Sequence, residues 1–63
     1  MIQYELYSIV LDINTKTFFK IIGIEETPET TIYTLEHTHT KKKIELPHER
    51  LLLIEEPKEE RFY

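Results

Sequence analysis

Cysteine and alanine are absent from the sequence, and glycine occurs only once. Without cysteine there is no disulfide framework, no thiolate-ligated zinc or iron–sulfur cluster, and no cysteine nucleophile. With a single glycine there is no glycine-rich loop of the kind that cradles a phosphate group. These absences exclude several kinds of functional site.

Long apolar segments are also missing. The longest nearly uncharged stretch, residues 6–11, is bounded by Glu5 and Asp12 and is far shorter than the roughly 20 residues that cross a bilayer as a helix. The first positive charge is Lys16, so the chain does not begin like a secretory signal. We expect a soluble, cytoplasmic protein, and 63 residues have room for one domain with one small core.

Positive charge is scarce, because 8 Lys and Arg residues stand against 12 Asp and Glu residues, a formal net charge of −4. Domains that coat nucleic acid by charge alone are usually clearly basic, so this balance argues against such a role. The positive residues that are present concentrate at Lys41, Lys42 and Lys43, with Arg50 nearby.

What the chain does contain favours β-structure. Nine Ile and eight Thr residues, together with the lack of alanine, favour β-branched strand formers over helix formers. Ile2, Tyr4 and Leu6 alternate with polar residues, which predicts a first strand over residues 2–11. Asp12 and Asn14 then predict a hairpin turn.

Three further strands follow in the pattern. Residues 17–25 predict the second strand, and Gly23 inside it indicates a bulge or a sharp bend. A connection broken by Pro28 leads to a third strand over residues 30–36. Alternation at Lys42, Ile44 and Leu46 predicts a short fourth strand.

The segment after Pro47 admits two interpretations. One is a 3₁₀ turn over residues 47–50 and a fifth strand over the apolar run 51–54 that closes on the first strand. The alternative is a four-stranded sheet with a short helix over residues 47–56. We favour the strand because closure would hide the open sheet edges. The predicted domain spans residues 1–55, and residues 56–63 are predicted to form a charged tail.

The meander, the glycine corner and the segment Leu46-Pro47-His48-Glu49-Arg50-Leu51 resemble the Src-homology, Tudor and KOW kind of small barrel. This resemblance implies an all-β, five-stranded meander barrel that acts as a binding module. Such barrels bind peptides, modified tails, RNA or other proteins, so the resemblance transfers no residue-level function.

Catalytic and metal sites are not predicted. His37 and His39 are spaced to lie on one face of a strand, and His48 is a third imidazole, but no carboxylate completes a ligand pattern. Ser8, the only serine, lacks the glycine-framed turn that exposes a nucleophile. We therefore predict that the protein is not an enzyme and has no catalytic residues, metal or other cofactor.

Apolar residues at consecutive positions carry the functional prediction. Residues 9–11, 18–22 (apart from Lys20) and 51–54 place apolar side chains on both faces of their strands, which indicates burial against a partner unless a tightly curled barrel and the tail cover them. We predict a non-enzymatic module that docks on another protein, in the manner of a small regulator or phage-type inhibitor, and that forms a homodimer. The candidate partner-binding residues are Phe18, Phe19, Lys42, Arg50, Phe62 and Tyr63.

The alternative function is nucleic-acid binding on the same small barrel. Lysines supply phosphate contacts, and exposed aromatic rings supply stacking platforms for bases. The candidate residues for this alternative are Lys41, Lys42, Lys43, Arg50, Tyr7 and Tyr33.

Overall fold

A computed structural model of the chain describes residues 3–57, which form one five-stranded antiparallel sheet. The strands are β1 (Ile9–Asp12), β2 (Thr17–Glu26), β3 (Thr31–His37), β4 (Lys43–Pro47) and β5 (Leu51–Glu55), with a single 3₁₀ turn at His48–Arg50. Their order across the sheet is β4-β3-β2-β1-β5. The all-β prediction is confirmed. The alternative helix over residues 47–56 is wrong, because β5 pairs with β1 instead.

The predicted closure into a barrel is not found. β5 pairs with β1 as expected, but β4 and β5 are the two edges of the sheet, with no ladder between them in residues 3–57. The sheet nevertheless curls. In a flat sheet β4 and β5 would lie about 19 Å apart, at about 4.8 Å per strand. The four steps from Pro47 to Leu51 span at most about 14 Å.

The first strand is shorter than predicted, because the chain turns at Leu6 and Tyr7. Tyr7 has a φ of 69°, in the left-handed region. Its N–H donates to the Ile21 carbonyl (2.7 Å), while the Ile21 N–H donates to the Ser8 carbonyl (3.0 Å). Tyr7 and Ser8 thus face the single residue Ile21, as in a β-bulge. Period-two alternation did not reveal this break, since a bulky residue seldom adopts positive φ.

The predicted irregularity at Gly23 is confirmed. Ile21 faces Leu35 and Gly23 faces Thr34 on β3, so Ile22 is the extra residue of a bulge in β2. A Cβ atom at position 23 would lie 3.2 Å from both Cβ and Oγ1 of Thr34. The glycine therefore permits a close approach of two strands.

One core occupies the inner face of the curled sheet. Tyr4, Ile24, Leu46 and Leu53 pack against it from the margins. Its buried members are Val10, Phe19, Ile21, Tyr33, Leu35 and Leu51. No helix among residues 3–57 has the length and apolar character needed to cross a membrane.

Candidate docking surface

A row of apolar side chains crosses the outer face of the sheet. Leu11 on β1 faces Phe18 on β2 and Leu52 on β5, and directly paired residues of antiparallel strands share a face. The neighbouring Val10 and Phe19 form the next pair and are buried in the core, so the Leu11 row lies on the opposite side. This row is only partly covered by the protein itself.

Phe18 is 48% exposed and Leu52 is 52% exposed, whereas Leu11 is half-buried between them. Ile54 is the extra residue of a third irregularity, where β5 shifts register opposite Ile9, and it is 48% exposed. We call Leu11, Phe18, Leu52 and Ile54 the outer apolar patch. Complete burial of such a side chain is worth about 1.5–3 kcal/mol. Covering the exposed half of three of them would therefore contribute about 3 kcal/mol to binding.

The structure separates the two predicted phenylalanines. Phe19 is 6% exposed and meets the His37 ring edge-on, with 5.6 Å between ring centroids. Consecutive strand residues point to opposite faces, so only Phe18 is accessible to a partner. Phe62 and Tyr63 lie outside the described residues.

Arg50 has a structural role, because its guanidinium group pairs with the carboxylate of Asp12. Its Nη2 is 3.1 Å from both carboxylate oxygens of Asp12, and its Nε is 3.3 Å from Oδ1. Asp12 is buried at the end of β1 and also accepts the Asn14 N–H (3.0 Å) and the Thr15 hydroxyl (2.9 Å). The sequence pattern did not reveal this structural role of Arg50, because the partner carboxylate is 38 residues away in the chain.

The environment of Asp12 favours the ionised carboxylate. Burial by itself would raise its pKa, but the hydrogen bonds from Asn14, Thr15 and Arg50, with the charge of Arg50, outweigh burial. The pKa of Asp12 is consequently lowered from its ordinary value of 3.8.

The two tyrosines of the nucleic-acid alternative differ in position. Tyr7 is 62% exposed, whereas Tyr33 is fully buried in the core. The Tyr33 hydroxyl accepts the Tyr4 N–H (3.0 Å) and lies 2.9 Å from His48 Nδ1. Burial raises the pKa of Tyr33, although the Tyr4 hydrogen bond acts in the other direction. A base can therefore stack on Tyr7 but does not reach the ring of Tyr33.

Lysines collect at one end of the sheet. The β1–β2 turn, residues 13–16, leads into Thr17 at the start of β2. The β3–β4 connection, residues 38–42, follows His37, and His37 faces Phe19 near the start of β2. Both connections therefore lie at the end of the sheet where β2 begins. We call the exposed residues Lys16, Lys41, Lys42 and Lys43 the basic end.

The opposite end of β2 is acidic. Glu25 and Glu26 end this strand, and Glu29 lies in the turn that follows. The Thr30 hydroxyl donates to Glu49 (2.7 Å), and this hydrogen bond lowers the pKa of the exposed Glu49 carboxyl. The sheet thus carries opposite charge at its two ends.

Two of the three histidine rings, His37 and His48, make hydrogen bonds within the protein. The Nδ1 atom of His37 accepts the backbone N–H groups of His39 and Thr40, at 3.1 and 3.2 Å, and shapes the connection after β3. No group of three or more metal-ligating side chains, and no pocket, occurs among the described residues.

Leu52 and Ile54 belong to the patch but are not among the predicted partner-binding residues. The sequence did contain a signal for these two residues, since the apolar run 51–54 offers more apolar side chains than one face of a strand can bury. Only the pairing with β1 shows that Leu51 and Leu53 face the core while Leu52 does not.

Comparison of the chain with protein-family models, with curated proteins and with solved structures found no match.

Proposed function

We propose that this protein is a non-enzymatic, cytoplasmic binding module that docks on another protein through the outer apolar patch. The observation that carries the proposal is the placement of Phe18, Leu52 and Ile54, each about half exposed, on the outer face of the sheet. Contiguous exposed apolar side chains typically mark interaction sites. A module of this kind acts by occupying a surface of its partner, as a small regulator or inhibitor does.

The arrangement around the patch supports this role. Phe18 offers the kind of aromatic anchor that dominates binding energy at protein interfaces. The strand order and the 3₁₀ turn before β5 support the resemblance to Src-homology-type barrels, whose members are binding modules.

A photo-crosslinking amino acid tests the proposal. It is placed at position 18 and, as a control, at position 45, since Glu45 is exposed on β4 away from the patch. We expect a discrete crosslinked protein from position 18 and none from position 45. With that protein purified, Phe18→Lys should weaken binding by at least about tenfold, whereas Glu45→Lys should not. Equal crosslinking from both positions, or unchanged binding of Phe18→Lys, would contradict the proposal.

Nucleic-acid binding is the second candidate function, and the separation of charge favours it. The chain is acidic as a whole, yet four exposed lysines share the basic end. Tyr7 supplies an exposed ring, but the ladder does not place it at the basic end, because its N–H pairs with Ile21 in the middle of β2.

Salt-dependent binding to a single-stranded oligonucleotide tests this candidate. We expect affinity to fall steeply with salt, and a variant with Lys41, Lys42 and Lys43 changed to Glu to lose binding even at low salt. Glu25→Gln, at the opposite end of β2, is the control and should bind as the parent does. No binding by the parent protein at low salt would reject the candidate.

A further inference from the structure

The outer apolar patch and the basic end meet at Phe18. Phe18 is the second residue of β2, so it lies directly after the β1–β2 turn. Phe19 faces His37, and the same register places Thr38 beside Phe18, where the β3–β4 connection begins. Both lysine-bearing connections therefore border this phenylalanine, and the patch and the basic end are neighbouring parts of one surface.

Two lysines lie on the outer face itself. Lys20 is two residues beyond Phe18 on β2, so the two side chains point to the same face. Lys20 faces Glu36 on β3, and Glu36 faces Lys43 on β4, which places all three in one outward-facing row. Within residues 3–57, neither lysine forms an ion pair with Glu36. Positive charge therefore continues from the end of the sheet onto the face that carries Phe18.

Acidic groups do not cancel the charge of the basic end. Neither the β1–β2 turn nor the β3–β4 connection contains Asp or Glu. Asp12, at the end of β1, is already paired with Arg50. Glu25 is seven residues from Phe18, about 20 Å along the bulged strand. This distance is more than twice the Debye length of about 8 Å at physiological ionic strength, so the acidic end of β2 has little effect beside Phe18.

We propose that the docking partner contributes an extended acidic segment, in which apolar side chains are followed by carboxylates. The apolar side chains cover Leu52, Leu11 and Phe18, and the carboxylates meet the lysines of the basic end. The row from Leu52 to Phe18 crosses two strand spacings, about 10 Å, and the β3–β4 connection lies one spacing further. A segment of five or six residues covers this distance. The inference rests on the proposed function, because it assigns the chemistry of the partner that the outer apolar patch binds.

The side chains of the patch favour a protein segment over a nucleic acid. Bases stack on aromatic rings, and Phe18 supplies the one aromatic ring of the patch. Leu11, Leu52 and Ile54 are aliphatic and offer no stacking platform, whereas apolar side chains of a protein pack against all four. Lysine ammonium groups bind carboxylates as well as phosphates. The aliphatic part of the patch therefore distinguishes the two classes of partner, although the charge does not.

Three synthetic peptides of eight residues test both halves of the surface. The first has leucine at its first and third positions and glutamate at its last four, the second has glutamine in place of glutamate, and the third has serine in place of leucine. Each is titrated into the isotope-labelled protein and followed by NMR. We expect the first peptide to shift the amide signals of Phe18, Leu52 and residues 41–43 until saturation, and each replacement to weaken binding by at least about tenfold. No binding of the first peptide, or equal binding of any two, would overturn the inference.

Two charge variants separate local charge from overall charge. A variant with Lys41, Lys42 and Lys43 changed to glutamine should bind the first peptide at least about tenfold more weakly. The control changes three glutamates at the opposite end of β2 to glutamine, namely Glu25, Glu26 and Glu29. It alters the net charge by the same amount and should bind as the parent does, because these groups lie beyond the Debye length. A gain in the control as large as the loss in the lysine variant would overturn the inference, since overall charge would then govern binding.

The protein crosslinked from position 18 separates this inference from the docking proposal. Its affinity should fall with salt and in the lysine variant. A crosslinked partner that is insensitive to both would overturn the acidic segment alone. The lack of any partner dependent on Phe18 would overturn the docking proposal, and with it the inference.

Other occupants of the surface give different results. Phe18-dependent binding of a thymidine oligonucleotide that is tighter than binding of the first peptide would overturn the inference in favour of a nucleic acid. A parent protein that is dimeric by light scattering and becomes monomeric in Phe18→Lys would overturn it in favour of a second copy of the chain.

Discussion

At the scale of single residues, the ion pair of Asp12 and Arg50 links two segments that lie far apart in the sequence. It joins the end of β1 to the 3₁₀ turn that leads into β5, and Asp12 is buried while Arg50 is about one-third exposed. A buried carboxylate is tolerated only when it is well paired, so each partner depends on the other.

We predict that Asp12→Asn lowers the free energy of unfolding by about 2–3 kcal/mol. The value lies below the usual cost of breaking a buried pair, because water partly screens Arg50. Urea denaturation measures it. Arg50→Met in the Asp12→Asn background is the control, and it should lower the free energy of unfolding by little more, because the ion pair is already broken. A loss below about 0.5 kcal/mol for Asp12→Asn would show that the pair contributes little.

The lowered pKa of Asp12 predicts loss of stability in acid. Its stabilising contribution is fully present above the unfolded value near 3.8 and declines as the pH falls below that value toward the lower pKa of the folded protein. Urea midpoints measured from pH 6 to pH 2 should therefore fall more steeply in the parent protein than in Asp12→Asn. Parallel curves for the two proteins would contradict the assignment.

At the scale of strands and turns, backbone geometry decides which substitutions the protein tolerates. Lys41 and Lys16 adopt φ values of 64° and 60°, which non-glycine residues adopt at a cost. Gly23 shows the opposite constraint, because it has an ordinary φ but a close neighbour.

Lys41→Gly should stabilise the protein by about 0.5 kcal/mol, because relief of the left-handed backbone exceeds the added chain entropy of the unfolded state. Lys42→Gly is the matched control, since Lys42 itself does not have positive φ, and it should be destabilising. Thermal unfolding of both variants checks the sign. Equal effects at the two positions would mean that the backbone of Lys41 carries no strain.

Gly23→Val should destabilise the protein by about 2 kcal/mol, because side-chain atoms at position 23 would press on Thr34 of β3. In a Thr34→Gly background the same substitution should cost clearly less, since the crowding atoms are gone. Denaturation of the parent, of each single variant and of the double variant gives the coupling energy between positions 23 and 34. Strictly additive costs would show that crowding by Thr34 is not the cause.

The strands also show what periodicity can and cannot reveal. Gly23 signals its bulge in the sequence, because an isolated glycine inside a strand commonly marks a bulge or a close approach of two backbones. Tyr7 gives no such signal, and the predicted first strand is too long for that reason. The order of β1 to β4 follows from the short connections between them, but β5 pairs with β1 and not with β4, although only the 3₁₀ turn separates β4 from β5.

At the scale of the whole molecule, Tyr33 connects three distant parts of the chain. Its hydroxyl contacts the Tyr4 N–H and His48 Nδ1, while the Tyr4 ring stacks on His48 with 4.5 Å between ring centroids. The segment before β1, strand β3 and the 3₁₀ turn are thereby joined beside β5.

Tyr33→Phe should lower the free energy of unfolding by about 1–3 kcal/mol, because it leaves the Tyr4 N–H without its acceptor. Hydrogen exchange at the Tyr4 amide should accelerate more than exchange at Leu35 in the same strand. Tyr7→Phe is the control, because Tyr7 is mostly exposed, and it should have little effect on stability. Unchanged exchange at Tyr4 would contradict the connecting role.

The all-β class, the connections between β1 and β4 and the irregularity at Gly23 could be predicted from the sequence, which also favoured the 3₁₀ turn over the alternative helix after Pro47. Each of these follows from local rules of alternation, turn chemistry and backbone restriction. The folded arrangement of the strands was needed to show that Phe18 and Leu52 share an exposed face, that Arg50 pairs with Asp12, and that Tyr33 is buried. These facts depend on which residues from distant parts of the chain become neighbours, and strand register, which a one-residue shift would invert, sets those neighbours.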